Sequence, residues 1–211
     1  MSFRSPLTER PVLLLEPDQI PKPFDWGTLF GNQNPVELEI GSGKGLFLAN
    51  AATANPGHNF FGIEIAKKYA GLAAQRAFKQ NLMNVRVWPA DAKPVLATMI
   101  PPGSLRAVHV YFPDPWWKKR HKKRRVFTAS LVEDIVRLLG DRGLLSIASD
   151  VEEYFLLMQE LIAASNRFRD LPPIEVRTPE HELDYLTNFE RKFRIEGRSI
   201  HRAQYELTAS S

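Results

Sequence analysis

Acidic side chains stand near the ends of several short apolar runs in this sequence. Glu39 lies in the run VELEIG, Glu64 in NFFGIEI and Asp91 at the end of NVRVWPAD, and Asp114 follows RAVHVYF. An ionised carboxylate accepts hydrogen bonds from hydroxyl and amino groups, and it attracts cations. Four such groups favour a ligand with hydroxyl groups and positive charge, and they repel one that is rich in phosphate.

The segment EIGSGKG places glycine at three alternate positions, Gly41, Gly43 and Gly45. Glycine lets a chain turn tightly and lets a ligand approach the backbone. The dinucleotide fingerprint G-x-G-x-x-G requires glycine at position 46, which is leucine here, and the P-loop sequence does not occur either. The segment therefore favours a loop that holds a nucleoside, with an ordinary strand-to-helix turn as the alternative interpretation.

The acidic residues suit the parts of one nucleoside ligand, S-adenosylmethionine. Glu64 comes nineteen residues after the last glycine of the loop. A carboxylate at this place can accept hydrogen bonds from both ribose hydroxyls. Asp91 can accept a hydrogen bond from an adenine amino group, although it can also be the N-cap of a helix. Glu39 can face a cationic amino group. Because S-adenosylmethionine carries a ribose, a sulfonium and an ammonium group, this set of residues predicts a methyl donor rather than NAD.

Positive charge is concentrated in one segment, residues 118–125, which contains seven Lys and Arg residues and no acid. The whole chain has 28 basic and 24 acidic residues, so without these seven it has 21 basic residues and a charge of −3. A single dense basic patch on an otherwise acidic protein indicates binding to a polyanion. A solvated surface loop is the alternative interpretation.

Short strands alternate with helices over most of the sequence, and this order must position the acidic residues. We predict five strands, in the segments VELEIG, NFFGIEI, NVRVWPAD, RAVHVYF and LLSIASD. We predict helices over 45–55, 66–80, a short stretch after 91, 128–139 and 152–166. The alternation predicts an α/β, Rossmann-like fold with a mainly parallel, doubly wound sheet, whose ligands bind beyond the carboxyl ends of its strands.

The two ends of the chain depart from this alternation. Residues 1–34 contain five prolines and little periodicity, which predicts an extended N-terminal arm with one short helical turn near 26–30. Near the C-terminus, the segments PPIEVRT and SIHRAQYEL predict an antiparallel strand pair around a polar stretch. We therefore expect residues 35–211 to form a single domain.

Composition excludes several classes of protein. The chain has no cysteine, so it forms no disulfide, thiolate zinc site or cysteine nucleophile, and we predict no metal. Its N-terminus lacks the apolar region of a signal peptide, and no apolar run approaches the roughly 20 residues of a membrane span. A soluble cytoplasmic protein, monomeric or homodimeric and without an obligate protein partner, is the expectation.

Five segments in order, EIGSGKG, GIEI, PAD, VYFPDPWWKKRHKKRR and TNFE, resemble the bacterial tRNA (guanine-N7-)-methyltransferases from Pro35 onward. The resemblance implies a class I methyltransferase that methylates N7 of guanosine 46 in the tRNA variable loop. It implies cofactor contacts at Glu39, Glu64, Asp91 and Asp114. It implies substrate contacts at Lys118, Asp150, Thr187, Asn188, Phe189 and Glu190. It implies tRNA contacts by Arg120, His121, Lys122, Lys123, Arg124 and Arg125.

The chemistry of guanine N7 agrees with the residues available. N7 carries a free lone pair and no proton, so its methylation requires positioning and charge stabilisation but no strong general base. Asp114, held between two prolines, is our candidate catalytic residue, because a carboxylate stabilises the positive charge that develops on the ring. The alternatives are a methyltransferase for another RNA or a small anionic substrate, and an RNA-binding module without catalysis.

Overall fold

The computed structural model describes residues 13–116, 125–172 and 187–209. The strands are β1 Val36–Ile40, β2 Asn59–Ile63, β3 Val85–Trp88, β4 Leu105–Tyr111, β5 Leu139–Ser149, β6 Phe168–Asp170 and β7 His201–Leu207. The helices are α1 Trp26–Phe30, α2 Leu46–Ala54, α3 Lys67–Lys79, α4 Ala92–Thr98, α5 Ala129–Leu138, α6 Glu152–Ala164 and α7 Asn188–Ile195.

The strands form one seven-stranded sheet in the order β3-β2-β1-β4-β5-β7-β6. The first five are parallel, β7 pairs antiparallel with β5, and β6 pairs antiparallel with β7. The chain moves outward from β1 in one direction and from β4 in the other, so the strand order reverses between these two strands. A crevice opens at this point, at the carboxyl ends of β1, β2 and β4. The predicted Rossmann-like fold is confirmed.

Apolar side chains on both faces of the sheet account for its burial. All five residues of β2, NFFGI, are buried, as parallel strands covered by helices on both sides require. The buried residues of helix α3 are four alanines, Ala70, Ala73, Ala74 and Ala77. Their small size lets the helix backbone approach the sheet closely. Among the described residues, no helix has both the length and the apolar character needed to cross a membrane.

Two C-terminal elements differ from the sequence predictions. On its outer edge β7 pairs with β6, only three residues long, whereas residues 173–178 of the predicted strand PPIEVRT lie outside the described residues. Helix α7 occupies part of the stretch that we expected to be merely polar. Its signal was the sequence TNFE: the Thr187 side chain accepts a hydrogen bond from the Glu190 N–H at 3.0 Å, which is the N-cap geometry that Ser/Thr-x-x-Glu encodes.

Residues 13–34 pack against the rest of the protein. Leu13 and Leu15 form two backbone hydrogen bonds of 2.8 Å with Val87 at the outer edge of the sheet. Further along, Ile20 and Phe30 are buried in the main hydrophobic core. Residues 13–15 therefore cover the free edge of β3, which would otherwise expose unpaired backbone groups.

Candidate active site

A cavity of about 1220 Å³ opens at the carboxyl ends of β1, β2 and β4. It brings together nine of the residues predicted from the sequence: Glu39, Gly41, Gly43, Glu64, Asp91, Asp114, Thr187, Asn188 and Phe189. Gly45, Arg125, Asp150 and Glu190 do not line it. Six further predicted residues lie outside the described ranges: Lys118, Arg120, His121, Lys122, Lys123 and Arg124.

Glu39 is the most deeply placed carboxyl group of the cavity. Its side chain lies near the end of β1 and the residue is only 3% exposed. Burial, followed by the nearby charge of Glu64, raises the pKa of Glu39 well above its usual range. Its Oε2 atom is buried and has no hydrogen-bond partner among the described residues. A buried carboxyl group without partners is costly, so the arrangement calls for a ligand that supplies a cation or hydrogen-bond donors at this position.

Glu64 joins the glycine loop to the start of helix α3. Its Oε2 accepts a hydrogen bond from the Gly43 N–H, and its Oε1 accepts one from the Ala66 N–H, both at 2.8 Å. Gly43 has a φ of +52°, a left-handed conformation that favours glycine and turns its N–H toward the carboxylate. Each oxygen keeps a lone pair, so the fixed carboxylate can still accept hydrogen bonds from two ligand hydroxyls.

Asp91 combines the two roles considered for it in the sequence. It is the N-cap of α4, where its side chain accepts a hydrogen bond from the Lys93 N–H at 3.1 Å. The same exposed carboxylate lines the cavity, so capping leaves it accessible to a ligand amino group.

Asp114 is exposed at the cavity wall, in a tight turn that follows β4. Phe112 and Trp116 on either side have φ values of +51° and +42°, which are strained conformations for bulky residues. Arg125 braces the turn, because its Nε donates to the Pro115 carbonyl at 2.6 Å and its guanidinium carbon lies 5.4 Å from the centre of the Tyr154 ring. Arg125, predicted to contact tRNA, thus supports the turn that carries Asp114.

Two predicted substrate residues form ion pairs beside the cavity rather than in its lining. Glu190 is 1% exposed and bonds to Arg194 at 2.9 Å and to Arg202 at 2.5 Å, which ties α7 to β7. Asp150, after β5, forms an ion pair with Arg198. Both carboxylates hold the C-terminal elements next to the cavity.

Gly45 supports the cavity through packing. It is the N-cap of α2 with a φ of +70°, and a Cβ atom there would lie 2.6 Å from the Cβ of Ala73 and 2.8 Å from its Cα. Only glycine therefore allows the loop to pass this close to α3.

We expect Gly45→Ala to lower the free energy of unfolding by about 2–4 kcal/mol, from the left-handed φ and the overpacking against backbone together. Gly71→Ala is the matched control, because a Cβ at this position in α3 meets nothing within 4 Å and alanine favours helix. Urea titration of both variants tests this. Equal stabilities for the two would contradict the packing role of Gly45.

Several residues on the outer side of the cavity were not identified from the sequence. Ile65 is 73% exposed and Tyr69 is 42% exposed, and both line the cavity together with Lys44. The available signal for Ile65 was its place directly after Glu64 at the end of an otherwise buried strand. Tyr69 gave no signal, since one aromatic residue in a helix is usually part of the core.

A partly buried chain of polar side chains links β1, β4 and the residue before β2. His109 contacts the Tyr111 hydroxyl at 3.0 Å through Nδ1 and Glu37 at 2.8 Å through Nε2, and Glu37 contacts His58 at 2.7 Å. Burial alone would raise the pKa of Glu37, but the hydrogen bonds and charges of the two histidines outweigh it and lower that pKa. The chain satisfies polar groups that β1 and β4 carry into the interior.

Two solved methyltransferase structures share this architecture. A SAM-dependent O-methyltransferase from Thermotoga maritima superposes with a TM-score of 0.57 at 12% identity over 84% of this chain and 61% of that one, so this chain spans less than two thirds of its length. The 16S rRNA methyltransferase KamB gives a TM-score of 0.58 at 16% identity over 83% of this chain and 89% of its own. The fold is that of the class I S-adenosylmethionine-dependent methyltransferases.

Sequence relationships narrow this class to one family. Residues 33–203 match the model of a family described as "Putative methyltransferase". The tRNA (guanine-N(7)-)-methyltransferase of Rhodopirellula baltica is 44% identical over 198 residues, which are 91% of this chain and 73% of that protein. The chain belongs to the tRNA (guanine-N(7)-)-methyltransferase family, as its motifs predicted.

Proposed function

We propose that this protein transfers a methyl group from S-adenosylmethionine to N7 of a guanosine in tRNA, and that the guanosine is number 46 in the variable loop. The main observation in support is that four carboxylates line one cavity in a member of this family: Glu39, Glu64, Asp91 and Asp114. The family relationship supports tRNA as the substrate, and the cavity supports the methyl donor.

The residues of the cavity fit S-adenosylmethionine. The unpartnered Oε2 of Glu39 would receive the ammonium group, which returns this carboxyl to its ionised form by supplying the missing charge. Glu64 would accept hydrogen bonds from the ribose hydroxyls. Asp91 would accept one from the adenine amino group. A pyrophosphate would be repelled by the same carboxylates, which argues against NAD.

The chain's own contribution to catalysis is placement and charge. S-Adenosylmethionine, when bound, supplies a methyl group activated by its sulfonium charge. Guanine N7 offers an in-plane lone pair and loses no proton, so no general base is needed from the protein. Asp114 stabilises the positive charge that the guanine ring acquires, in a site where a preorganised charge is more effective than water.

Asp114 also supports selection of guanine over adenine. A carboxylate accepts hydrogen bonds from N1–H and the 2-amino group of guanine, and adenine has no such pair of donors. Thr187, Asn188 and Phe189 also line the cavity, where the Phe189 ring lies 6.4 Å from that of Phe112, and they are proposed to contact the same nucleotide. Lys118, Asp150 and Glu190 stay predictions as substrate contacts, and residues 120–125 as phosphate contacts.

The proposal is tested with methyl-labelled S-adenosylmethionine and unmodified tRNA transcript. We expect label in tRNA at N7 of guanosine 46, mapped by chain cleavage at 7-methylguanosine, and no label in a transcript whose guanosine 46 is replaced by adenosine. Label at another base would overturn the assignment of the position. Transfer to small organic acids but not to tRNA would favour the small-substrate alternative.

A further inference from the structure

A second cleft, of about 330 Å³, lies beside the candidate active site. It is formed by the glycine loop and the outer face of α3, and its lining residues are Lys44, Leu72, Gln75, Arg76, Lys79 and Gln80. Lys44 lines both cavities, so the cleft continues directly from the mouth of the larger one.

The cleft carries positive charge that no described carboxylate neutralises. Helix α3 has four cations and no acidic residue along its thirteen positions. Within the described ranges, neither Lys44, Arg76 nor Lys79 forms an ion pair, whereas Lys67 on the same helix pairs with Glu16 at 3.2 Å. Three unneutralised cations in one concave surface attract an anion rather than a neutral or basic partner.

Arg76 fixes the shape of the cleft. Its Nε donates to the Lys44 carbonyl at 3.1 Å, and its Nη2 donates to the Asn188 side chain at 3.5 Å. One side chain thus connects α3, the glycine loop and the start of α7. The cleft is therefore held in place by the same contacts that hold the active-site wall.

We propose that this cleft binds backbone phosphates of the tRNA next to the target nucleotide, an inference that rests on the proposed function. The turn of Asp114 and Arg125 lies on the β4 side of the cavity, and α3 lies on the β2 side. A nucleotide that enters the cavity from a continuous strand has backbone leading away from it on both sides. The cleft provides the cations on the α3 side, opposite the turn of Asp114 and Arg125.

An exposed aromatic ring adds to this surface. The Lys44 ammonium lies 6.0 Å from the centre of the Tyr69 ring, at the junction of the two cavities. Aromatic and cationic side chains placed together are typical of surfaces that bind unpaired nucleotides, because bases stack on the ring and phosphates pair with the cation.

The test compares tRNA binding by Lys79→Gln/Gln75→Glu with binding by Lys22→Gln/Arg106→Gln. Both double variants lower the net charge by two, and all four residues are exposed. We expect the cleft variant to lose about tenfold in tRNA affinity near 0.1 M salt, with a salt slope reduced by about 1. The control variant should keep the slope of the unaltered protein. S-Adenosylmethionine affinity, measured in the same preparations, should be equal in all three proteins.

The outcomes separate this inference from the proposed function. If the unaltered protein methylates tRNA at guanine N7 but the cleft variant and the control bind tRNA alike, the cleft is not a phosphate site. If the unaltered protein does not methylate tRNA, the proposed function is wrong and the assignment of the cleft falls with it. Should the double variant fail to bind S-adenosylmethionine, Lys79→Gln alone is used, and an unchanged salt slope then overturns the inference.

Discussion

Replacement of Asp114 by alanine should reduce methyl transfer to tRNA by at least about 10²–10³-fold, the range observed when one preorganised electrostatic group is removed from an active site. The loss should appear in the single-turnover rate, because the role proposed for Asp114 is to stabilise charge that develops during the reaction. Affinity for tRNA should change little, since the phosphate contacts that supply most of it lie elsewhere.

Asp114→Asn separates charge from shape in this experiment. The amide has nearly the same volume as the carboxylate and should leave the turn between Phe112 and Trp116 intact, yet it cannot stabilise a positive ring. We expect its rate to resemble that of the alanine variant. A rate close to that of the unaltered protein, or loss of tRNA binding in either variant, would contradict the role given to Asp114.

Glu39→Gln should have two opposite effects, and both should be large. Affinity for S-adenosylmethionine should fall about a hundredfold, or about 3 kcal/mol, as is typical when one partner of a buried charged pair is lost. Without the ligand, the variant should be more stable than the unaltered protein, because it no longer buries an ionisable group that lacks a partner.

The pH dependence of this stabilisation has a defined sign. Because the pKa of Glu39 is raised on folding, its unfavourable contribution is absent below the ordinary pKa of glutamate, near 4.5, and grows as the pH rises from there toward the folded pKa. The difference in melting temperature between Glu39→Gln and the unaltered protein should therefore be small at pH 4.5 and larger at pH 7.5. A constant difference would show that burial does not raise this pKa, and unchanged ligand affinity would show that Glu39 does not receive the ammonium group.

Sequence reasoning predicted the parallel sheet because short, largely apolar strands alternate with longer helical segments. The acidic residues at strand ends could be expected to meet, since parallel strands bring their carboxyl ends to one edge. Glu190 and Asp150 illustrate what the sequence could not show. Their partners from outside the same helix or loop, Arg202 and Arg198, lie twelve and forty-eight positions away in the sequence, and only the fold brings them together.

Local geometry explains the remaining differences. The three-residue strand β6 is too short to show a periodic pattern. Gly45 is distinguished from Gly43 by its close contact with Ala73, which belongs to another helix. Arg125 belongs to a basic run, so its charge suggested tRNA contact. Its bond to the Pro115 carbonyl depends on a turn that sequence alone does not specify.

That bond also determines how the basic segment is attached to the protein. Pro115 and Arg125 are ten positions apart in sequence but are joined directly, so the chain leaves the turn of Asp114 and returns to the same point. A segment anchored in this way can change in length or charge while the carboxylate at its base keeps its place. Under the proposed function, such changes would alter the phosphate contacts of the segment and leave the proposed catalytic carboxylate where it is.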